Sequence, residues 1–304
     1  MRLNFYTIDV FTNKIFGGNP LAVFLDADKL SSIQMQSIAR EINYSETAFV
    51  LKPQNKKNTA KVRIFTPKNE LPFAGHPNVG TSFLLLKKIN LIPGEFNKSE
   101  MWFEIKAGLV RILPKINKEN IILGTSIEAP QRLKLSEKVS LSIISECIEL
   151  NENQIYVKNF EPIIASVGLD FVIAEVESRK VLSSARCNQI AFEKANQKFD
   201  FGDDFFSLMI FCRGKKNEIH ARVFAPLSGI IEDPATGSAC GALGGLLASL
   251  EKEKSGKFNY KIFQGYEIGR PSKLEINVSK VNNITKKPWI FGESVIVSEG
   301  KFYL

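Results

Sequence analysis

The sequence predicts an α+β protein of two domains, and three observations lead there. The chain is 304 residues long, enough for two domains of ordinary size. Its apolar runs switch between period-two and helical spacing with hairpin-like connections, unlike the strict alternation of a parallel βαβ array. One short pattern also occurs twice. Arg63-Ile64-Phe65-Thr66-Pro67 leads to His76-Pro77-Asn78-Val79-Gly80-Thr81, and Arg222-Val223-Phe224-Ala225-Pro226 leads to Asp233-Pro234-Ala235-Thr236-Gly237-Ser238. An apolar run follows each copy, so a strand, a turn and a helix start are written once per half. The copies differ at His76 and Asp233. Unlike polar residues at matched positions point to one site built from both halves.

The elements follow in order. Alternation over residues 3–10 predicts a strand, Phe16-Gly17-Gly18-Asn19-Pro20 a turn, and residues 21–25 a second strand. Ser31 and Ser32 suit a helix N-terminus, so a helix is expected to run through Arg40 with Ile33, Met35 and Ile38 on or near one side. Strands are expected at 47–51 and 61–65, a helix at 81–89, and a hairpin at 103–105 and 109–113 around Lys106-Ala107-Gly108. Periodicity fades around 123–131, where Gly124 and Pro130 sit, and the domain boundary is placed there. The first lobe is assigned residues 1–125, with the C-terminal strand 292–304 as an optional completion, and the second lobe 126–291. In the second lobe, helices are expected at 136–150, 185–199 and 238–250. Strands are expected at 163–167, 171–176, 206–211, 218–224, 260–264, 273–278 and 294–298.

Composition narrows the function classes. A hydrophobic fraction of 44% with 24% charged residues is that of a soluble globular chain. No apolar run is long enough for a membrane span, and the N-terminus lacks a signal-peptide core. Cys147, Cys187, Cys212 and Cys240 are widely spaced, which predicts reduced thiols in a cytoplasmic protein. With only two histidines, no paired cysteines and no H-E-x-x-H, neither a metal nor a cofactor is expected. The net charge of +8 comes from lysines scattered over loops, without a nucleic-acid motif. It is read as a solvated surface whose field would attract a small anionic substrate.

Few residues are placed to carry chemistry. Glu46, in Ser45-Glu46-Thr47, lies between a predicted helix and a strand; it is either a general base or an exposed loop acid. Asp233 precedes a helix whose free N–H groups form an anion site, and it serves in acid–base chemistry or as a cap. His76 precedes the matching helix and has an unperturbed pKa near neutrality. Cys240 is a reactive thiol at a helix start or a buried inert one. Ser238 sits in T-G-S-A-C rather than in G-x-S-x-G, which argues against a serine nucleophile.

Taken together, several tracts resemble the PhzF family of phenazine biosynthesis-like isomerases, which share the fold of diaminopimelate epimerase and proline racemase. They are Asp9-Val10-Phe11-Thr12, Gly18-Asn19-Pro20-Leu21-Ala22-Val23, Ser45-Glu46-Thr47-Ala48-Phe49, Phe73-Ala74-Gly75-His76-Pro77, Asp233-Pro234-Ala235-Thr236-Gly237-Ser238-Ala239 and Gln264-Gly265-Tyr266-Glu267-Ile268-Gly269-Arg270-Pro271-Ser272, besides the Arg63 tract. The resemblance implies two pseudo-symmetric lobes, each a mixed sheet rolled around a central helix, with the active site in the cleft between them. It implies Glu46 as the main acid–base residue, Asp233 facing it, His76 assisting, and Ser45, Gly75, Gly237 and Ser238 holding the substrate's polar groups. It also implies a homodimer. Epimerases of this fold that use two cysteines carry a thiol on each lobe; Gly75-His76 and Asp233 stand at those places here. The expected activity is a cofactor-independent proton shift on a small carboxylate-bearing metabolite, of the trans-2,3-dihydro-3-hydroxyanthranilate isomerase type. The alternatives are an epimerase or racemase using Glu46 and Asp233, and a non-catalytic small-molecule-binding protein on the same scaffold.

Overall fold

The computed structural model describes residues 1–88, 100–119, 121–202 and 204–304. It divides into two compact units, Met1–Glu128 with Ile290–Leu304, and Ala129–Trp289. The first contains β1 (Arg2–Val10), β2 (Asn19–Phe24), α1 (Ser32–Ile42), β3 (Glu46–Leu51), β4 (Ala60–Phe65), β5 (Glu70–Leu71), α2 (Gly75–Lys88), β6 (Met101–Ile105), β7 (Gly108–Ile116) and β8 (Ile122–Glu128). The second contains β9 (Lys134–Lys138), α3 (Leu141–Ile148), β10 (Ile163–Ser166), β11 (Asp170–Glu175), α4 (Arg179–Ser184), α5 (Gln189–Asn196) and β12 (Leu208–Arg213). It continues with β13 (Glu218–Ala225), β14 (Ile230–Asp233), α6 (Gly237–Leu250), β15 (Gly256–Gln264), β16 (Ser272–Val281) and β17 (Ile284–Thr285). The last strand, β18 (Trp289–Tyr303), pairs with β1 and β8 of the first unit.

In the first unit β18, β1, β2, β3, β4, β6, β7 and β8 pair in that order, and the β8–β18 pairing closes the ring. The result is an eight-stranded closed barrel. Helix α2 packs on β8, β1, β2 and β3, and every residue from Gly75 to Leu86 is buried. A helix buried on all sides belongs inside a protein, and this one fills the barrel even though it carries His76, Asn78, Thr81 and Ser82. Closure needs glycine: a Cβ on Gly124 would lie 2.1 Å from the Gly292 carbonyl oxygen, and one on Gly292 would lie 2.2 Å from the Phe11 ring.

The second unit repeats the same run of pairings. β1–β2 is antiparallel, β2–β3 parallel, β3–β4 and β4–β5 antiparallel, β4–β6 parallel and β6–β7 antiparallel. β10–β11 is antiparallel, β11–β12 parallel, β12–β13 and β13–β14 antiparallel, β13–β15 parallel and β15–β16 antiparallel. Helix α6 takes the place of α2 and is buried from Gly237 to Ala248. Its C-terminal carbonyls are met by Lys280, whose buried ammonium donates to Ser249 O (3.2 Å) and Glu251 O (2.8 Å).

The doubled arginine has a structural reason. Arg63 grips Glu70 of β5 in a two-pronged ion pair (2.7 and 2.8 Å), and its third prong reaches Ser32 Oγ of α1 (3.0 Å). Arg222 grips Glu232 of β14 (2.9 and 2.7 Å) and donates to Leu182 O and Ala185 O at the end of α4 (3.0 and 2.7 Å). Each guanidinium also lies over the Phe two residues on, Phe65 or Phe224. The Phe is thus a platform for the cation.

Several sequence expectations need correction. The segment around 123–131 contains β8, because Gly124 is a close-approach residue rather than loop punctuation. The helix expected at 136–150 is shorter, Leu141–Ile148, and residues 134–138 form an exposed strand on β10. The helix expected at 185–199 is shorter, Gln189–Asn196, and a further short helix, α4, precedes it at Arg179–Ser184. Helix α2 begins at Gly75, six residues earlier than expected, and residue 89 lies outside the described residues. Proline was read as turn material, but Pro77 in a first turn removes an N–H that has no helical partner anyway. By contrast, α1 starts where its serines indicate, with a capping box between Ser31 and Gln34.

The two forks differ in burial. Arg222 and Glu232 side chains are 8% and 7% exposed, whereas Arg63 and Glu70 are 21% and 22% exposed. Removing one partner of a buried pair costs about 3–5 kcal/mol because the other charge is stranded. Arg222→Met should therefore lower the urea midpoint much more than Arg63→Met. Equal losses would show that burial does not set the cost.

Candidate active site

In the first unit the heads of β2 and β3 lie side by side, with Leu21 opposite Glu46 in parallel register. Ser45 Oγ donates to Asn19 Oδ1 at 3.1 Å, which ties the two strand starts together. Asn19 is fully buried and follows Gly18, whose φ of +63° lets it pass close to the Val10 carbonyl. Glu46 is the first residue of β3, with a side chain 13% exposed. It is therefore no freely solvated loop acid.

His76 is the second residue of α2 and its side chain is 5% exposed. Its Nε2 lies 3.3 Å from Glu46 Oε2, but the angle does not make a hydrogen bond, and Nε2 has no hydrogen-bond partner among the described residues. Burial pushes the His76 pKa down to about 3. A carboxylate at this distance favours imidazolium, yet the desolvation cost of charging a fully enclosed ring prevails. His76 is thus a neutral imidazole against Glu46 across the physiological range. Gly75 opens the same helix, and Asn78 closes its first turn by donating to Ala74 O at 2.7 Å.

In the second unit Asp233 ends β14, paired with Val223, and is 9% exposed. Its Oδ2 accepts a short hydrogen bond from Thr236 Oγ1. Gln264, fully buried at the end of β15, donates to Asp233 O (2.7 Å) and to Thr236 Oγ1 (3.0 Å), and accepts from Thr236 N (3.2 Å). Gly237 and Ser238 are the first two residues of α6, both buried. Asp233 lies four positions before its helix, whereas His76 lies within one. The sequence-matched pair therefore does not occupy equivalent structural positions. Cys240 is fully buried; burial first, and the charge of Asp233 second, push its thiol well above the ordinary value. It remains a thiol and donates to Gln264 Oε1 at 3.5 Å.

The structure thus joins Ser45, Glu46, Gly75 and His76 in one unit, and Asp233, Gly237 and Ser238 in the other. The residue-by-residue reading missed Asn19, Thr236 and Gln264 as parts of these sites. Each sits inside a tract that carries the family resemblance, but an amide or a hydroxyl signals nothing on its own. Among the described residues no cluster of three or more His, Cys, Asp or Glu side chains could hold a metal ion. No described helix is long and apolar enough to cross a membrane.

Residues 8–300 match the family model described as phenazine biosynthesis-like protein, PhzC-PhzF. The chain belongs to the PhzF family. It is 34% identical to an uncharacterized isomerase of Mesorhizobium japonicum, over 99% of both chains. It is 32% identical to the trans-2,3-dihydro-3-hydroxyanthranilate isomerase of Pseudomonas aeruginosa, again over 99% of both. The crystal structure of a Bacillus anthracis phenazine biosynthesis protein of the PhzF family superimposes with a TM-score of 0.86 at 27% identity, covering all of both chains. Like the Mesorhizobium and Pseudomonas relatives, this PhzF protein is an isomerase.

The depressed His76 pKa has a stability consequence. The unfolded chain binds a proton near pH 6.5, while folded His76 stays neutral down to about pH 3. Between those values the unfolded state holds more protons, so stability falls as pH falls. The urea midpoint of wild type should drop across that window more steeply than that of His76→Asn. Parallel curves would contradict a neutral buried His76. The ring ¹⁵N shifts offer a direct check at pH 5, with one other histidine to assign.

Proposed function

We propose that this PhzF protein moves a proton between two carbons of a small, unsaturated, carboxylate-bearing metabolite, of the trans-2,3-dihydro-3-hydroxyanthranilate type. The observation that carries the reading is the Glu46–His76 contact: a mostly buried carboxyl group 3.3 Å from a histidine whose pKa has fallen to about 3. A neutral imidazole does not lock the Glu46 carboxylate into an ion pair with His76. Glu46 removes a proton from the carbon beside the unsaturated acid. The C–H electron pair becomes a new double bond, the existing double bond shifts, and a proton is returned at its far carbon. Atoms and charge balance without a cofactor.

Asp233 acts as a second acid–base group on the same substrate. Ser45, Gly75, Gly237 and Ser238 receive the substrate's polar groups. The N-termini of α2 and α6 present backbone N–H groups and the positive ends of their dipoles, which favour the negative charge built up during transfer. The run of strand pairings shared by the two units supports an origin by internal duplication, with the acid–base residues diverging afterwards. The family resemblance supports a homodimer.

The test is NMR in D₂O with trans-2,3-dihydro-3-hydroxyanthranilate and a panel of cyclic unsaturated carboxylates and amino acids. Deuterium should appear at a ring carbon. Glu46→Gln should slow its incorporation by about 10²–10⁴-fold, the usual worth of a placed acid–base group. Exchange confined to an α-carbon with inversion would instead make the protein an epimerase. Exchange indifferent to Glu46→Gln would remove Glu46 from the mechanism.

A further inference from the structure

The mechanism above makes no use of Gln264, although its side chain makes four hydrogen bonds to residues 233–240. We infer that Gln264 and Thr236 are positioning residues that fix the Asp233 carboxylate in one orientation and favour its negative charge. The inference rests on Asp233 acting as the second acid–base group.

The network is directional. Gln264 Nε2 faces two oxygens, Asp233 O (2.7 Å) and Thr236 Oγ1 (3.0 Å), while Gln264 Oε1 faces two donors, Thr236 N (3.2 Å) and Cys240 Sγ (3.5 Å). These partners allow only one orientation of the amide. The Thr236 hydroxyl has a single proton. Because Gln264 already donates into its oxygen, that proton points away from Gln264, and Asp233 Oδ2 receives it. A hydrogen bond given to a carboxylate stabilises its charged form. The relay therefore runs from Gln264 through Thr236 to Asp233.

A fully buried amide with both ends committed is no default core residue. The first unit supplies the comparison. Register places Lys61 opposite Glu104 and His220 opposite Phe263, and Lys61 and His220 each precede the forked arginine by two. The residue matching Gln264 is therefore Ile105. Register matches Asp233 with Leu71, each opposite the residue after the forked arginine: where Leu71 stands, the strand ends in an aliphatic side chain, and where Asp233 stands, the strand ends in glutamine. The backbone beyond is shaped to the same purpose. Gly265 has φ +78°, and a Cβ there would lie 2.6 Å from Pro234 O and 2.4 Å from Arg270 O. The β15 exit is thus pressed onto the Asp233-Pro234 segment. The other charged or titratable groups on the elements around Asp233 are Glu218, His220 and Arg222 on β13, Glu232 on β14, Cys240 on α6, Lys257, Tyr260 and Lys261 on β15, and Tyr266, Glu267 and Arg270 on the turn that Gly265 opens; Arg222 and Glu232 pair with each other.

The test reads Asp233 itself. Protein labelled with [¹³Cγ]aspartate is titrated by carboxyl NMR, the Asp233 signal being the one lost in Asp233→Asn. Thr236→Val should raise its titration midpoint by roughly one pH unit, the scale of one hydrogen bond to a charged group. Thr236→Ser should restore it. Gln264→Met frees the hydroxyl to turn and should raise the midpoint by less. An unchanged midpoint in folded Thr236→Val, or in Gln264→Met should the valine variant not fold, overturns the inference. The same variants are assayed with trans-2,3-dihydro-3-hydroxyanthranilate, where kcat should fall, KM hold and the Asp233-dependent limb of the pH profile move with the midpoint. Full turnover by Asp233→Asn would defeat the acid–base role of Asp233 and the catalytic part of the inference with it. The NMR midpoint keeps that failure distinct from a failure of the relay.

Discussion

The arginine fork is the interaction on which each unit's site depends. Arg63 joins three separate pieces: its own strand β4, the short strand β5 through Glu70, and α1 through Ser32. Arg222 does the same for β13, β14 and the end of α4. In each unit the chain turns from the second of these strands into the helix buried inside the sheet. The fork therefore sets where that helix starts. Planarity makes arginine suited to this; a lysine ammonium would supply charge without holding three partners in a plane. The Phe beneath completes the R-x-F pattern, so the conspicuous repeat is a scaffold device and carries no chemistry of its own.

Enclosing a helix on all sides has a second consequence. Side chains along α2 and α6 are committed to the fold, and polar ones beyond the first turn are spent inside it, as where Ser82 Oγ meets Thr125 Oγ1 at 2.8 Å. In α2 that turn is Gly75-His76-Pro77-Asn78, and in α6 it begins with Gly237-Ser238. The barrel that encloses α2 closes only because β8 and β18 approach through Gly124 and Gly292, with Phe11 against the latter. A side chain at either glycine would push these strands apart.

Much of this was legible in the sequence, and the gaps have physical causes. The strand-turn-helix grammar, the α1 cap at Ser31 and the polar candidates are local signals. The start of α2 was misjudged because Pro77 reads as a turn residue unless its place within the helix is known. Lys134–Lys138 was absorbed into a helix because a short exposed strand has no buried face to impose alternation. The division after Glu128 falls inside the stretch where the boundary is expected, but strand β8 escaped notice because the strand that Gly124 approaches lies more than 160 residues away in the chain. Gln264 escaped for the same reason: its four partners belong to residues 233–240, and nothing in its own neighbourhood announces them. Sequence shows which residues carry chemistry more readily than which residues hold them.

The two units prepare their polar groups by opposite means. His76 is stripped of solvent and left without a hydrogen bond to Nε2 among the described residues, so charging it is costly and it stays neutral beside Glu46. Asp233 is given a hydroxyl donor and a helix N-terminus four residues beyond, both of which favour negative charge, and its backbone carbonyl is braced by Gln264. One fold thereby offers two environments, one that resists charge and one that welcomes it. Proton transfer between carbons needs such a contrast, because a group that takes a proton readily and a group that holds its charge cannot both be made by the same surroundings. The divergence between His76, inside the first turn of α2, and Asp233, at the end of β14, is where that contrast is written.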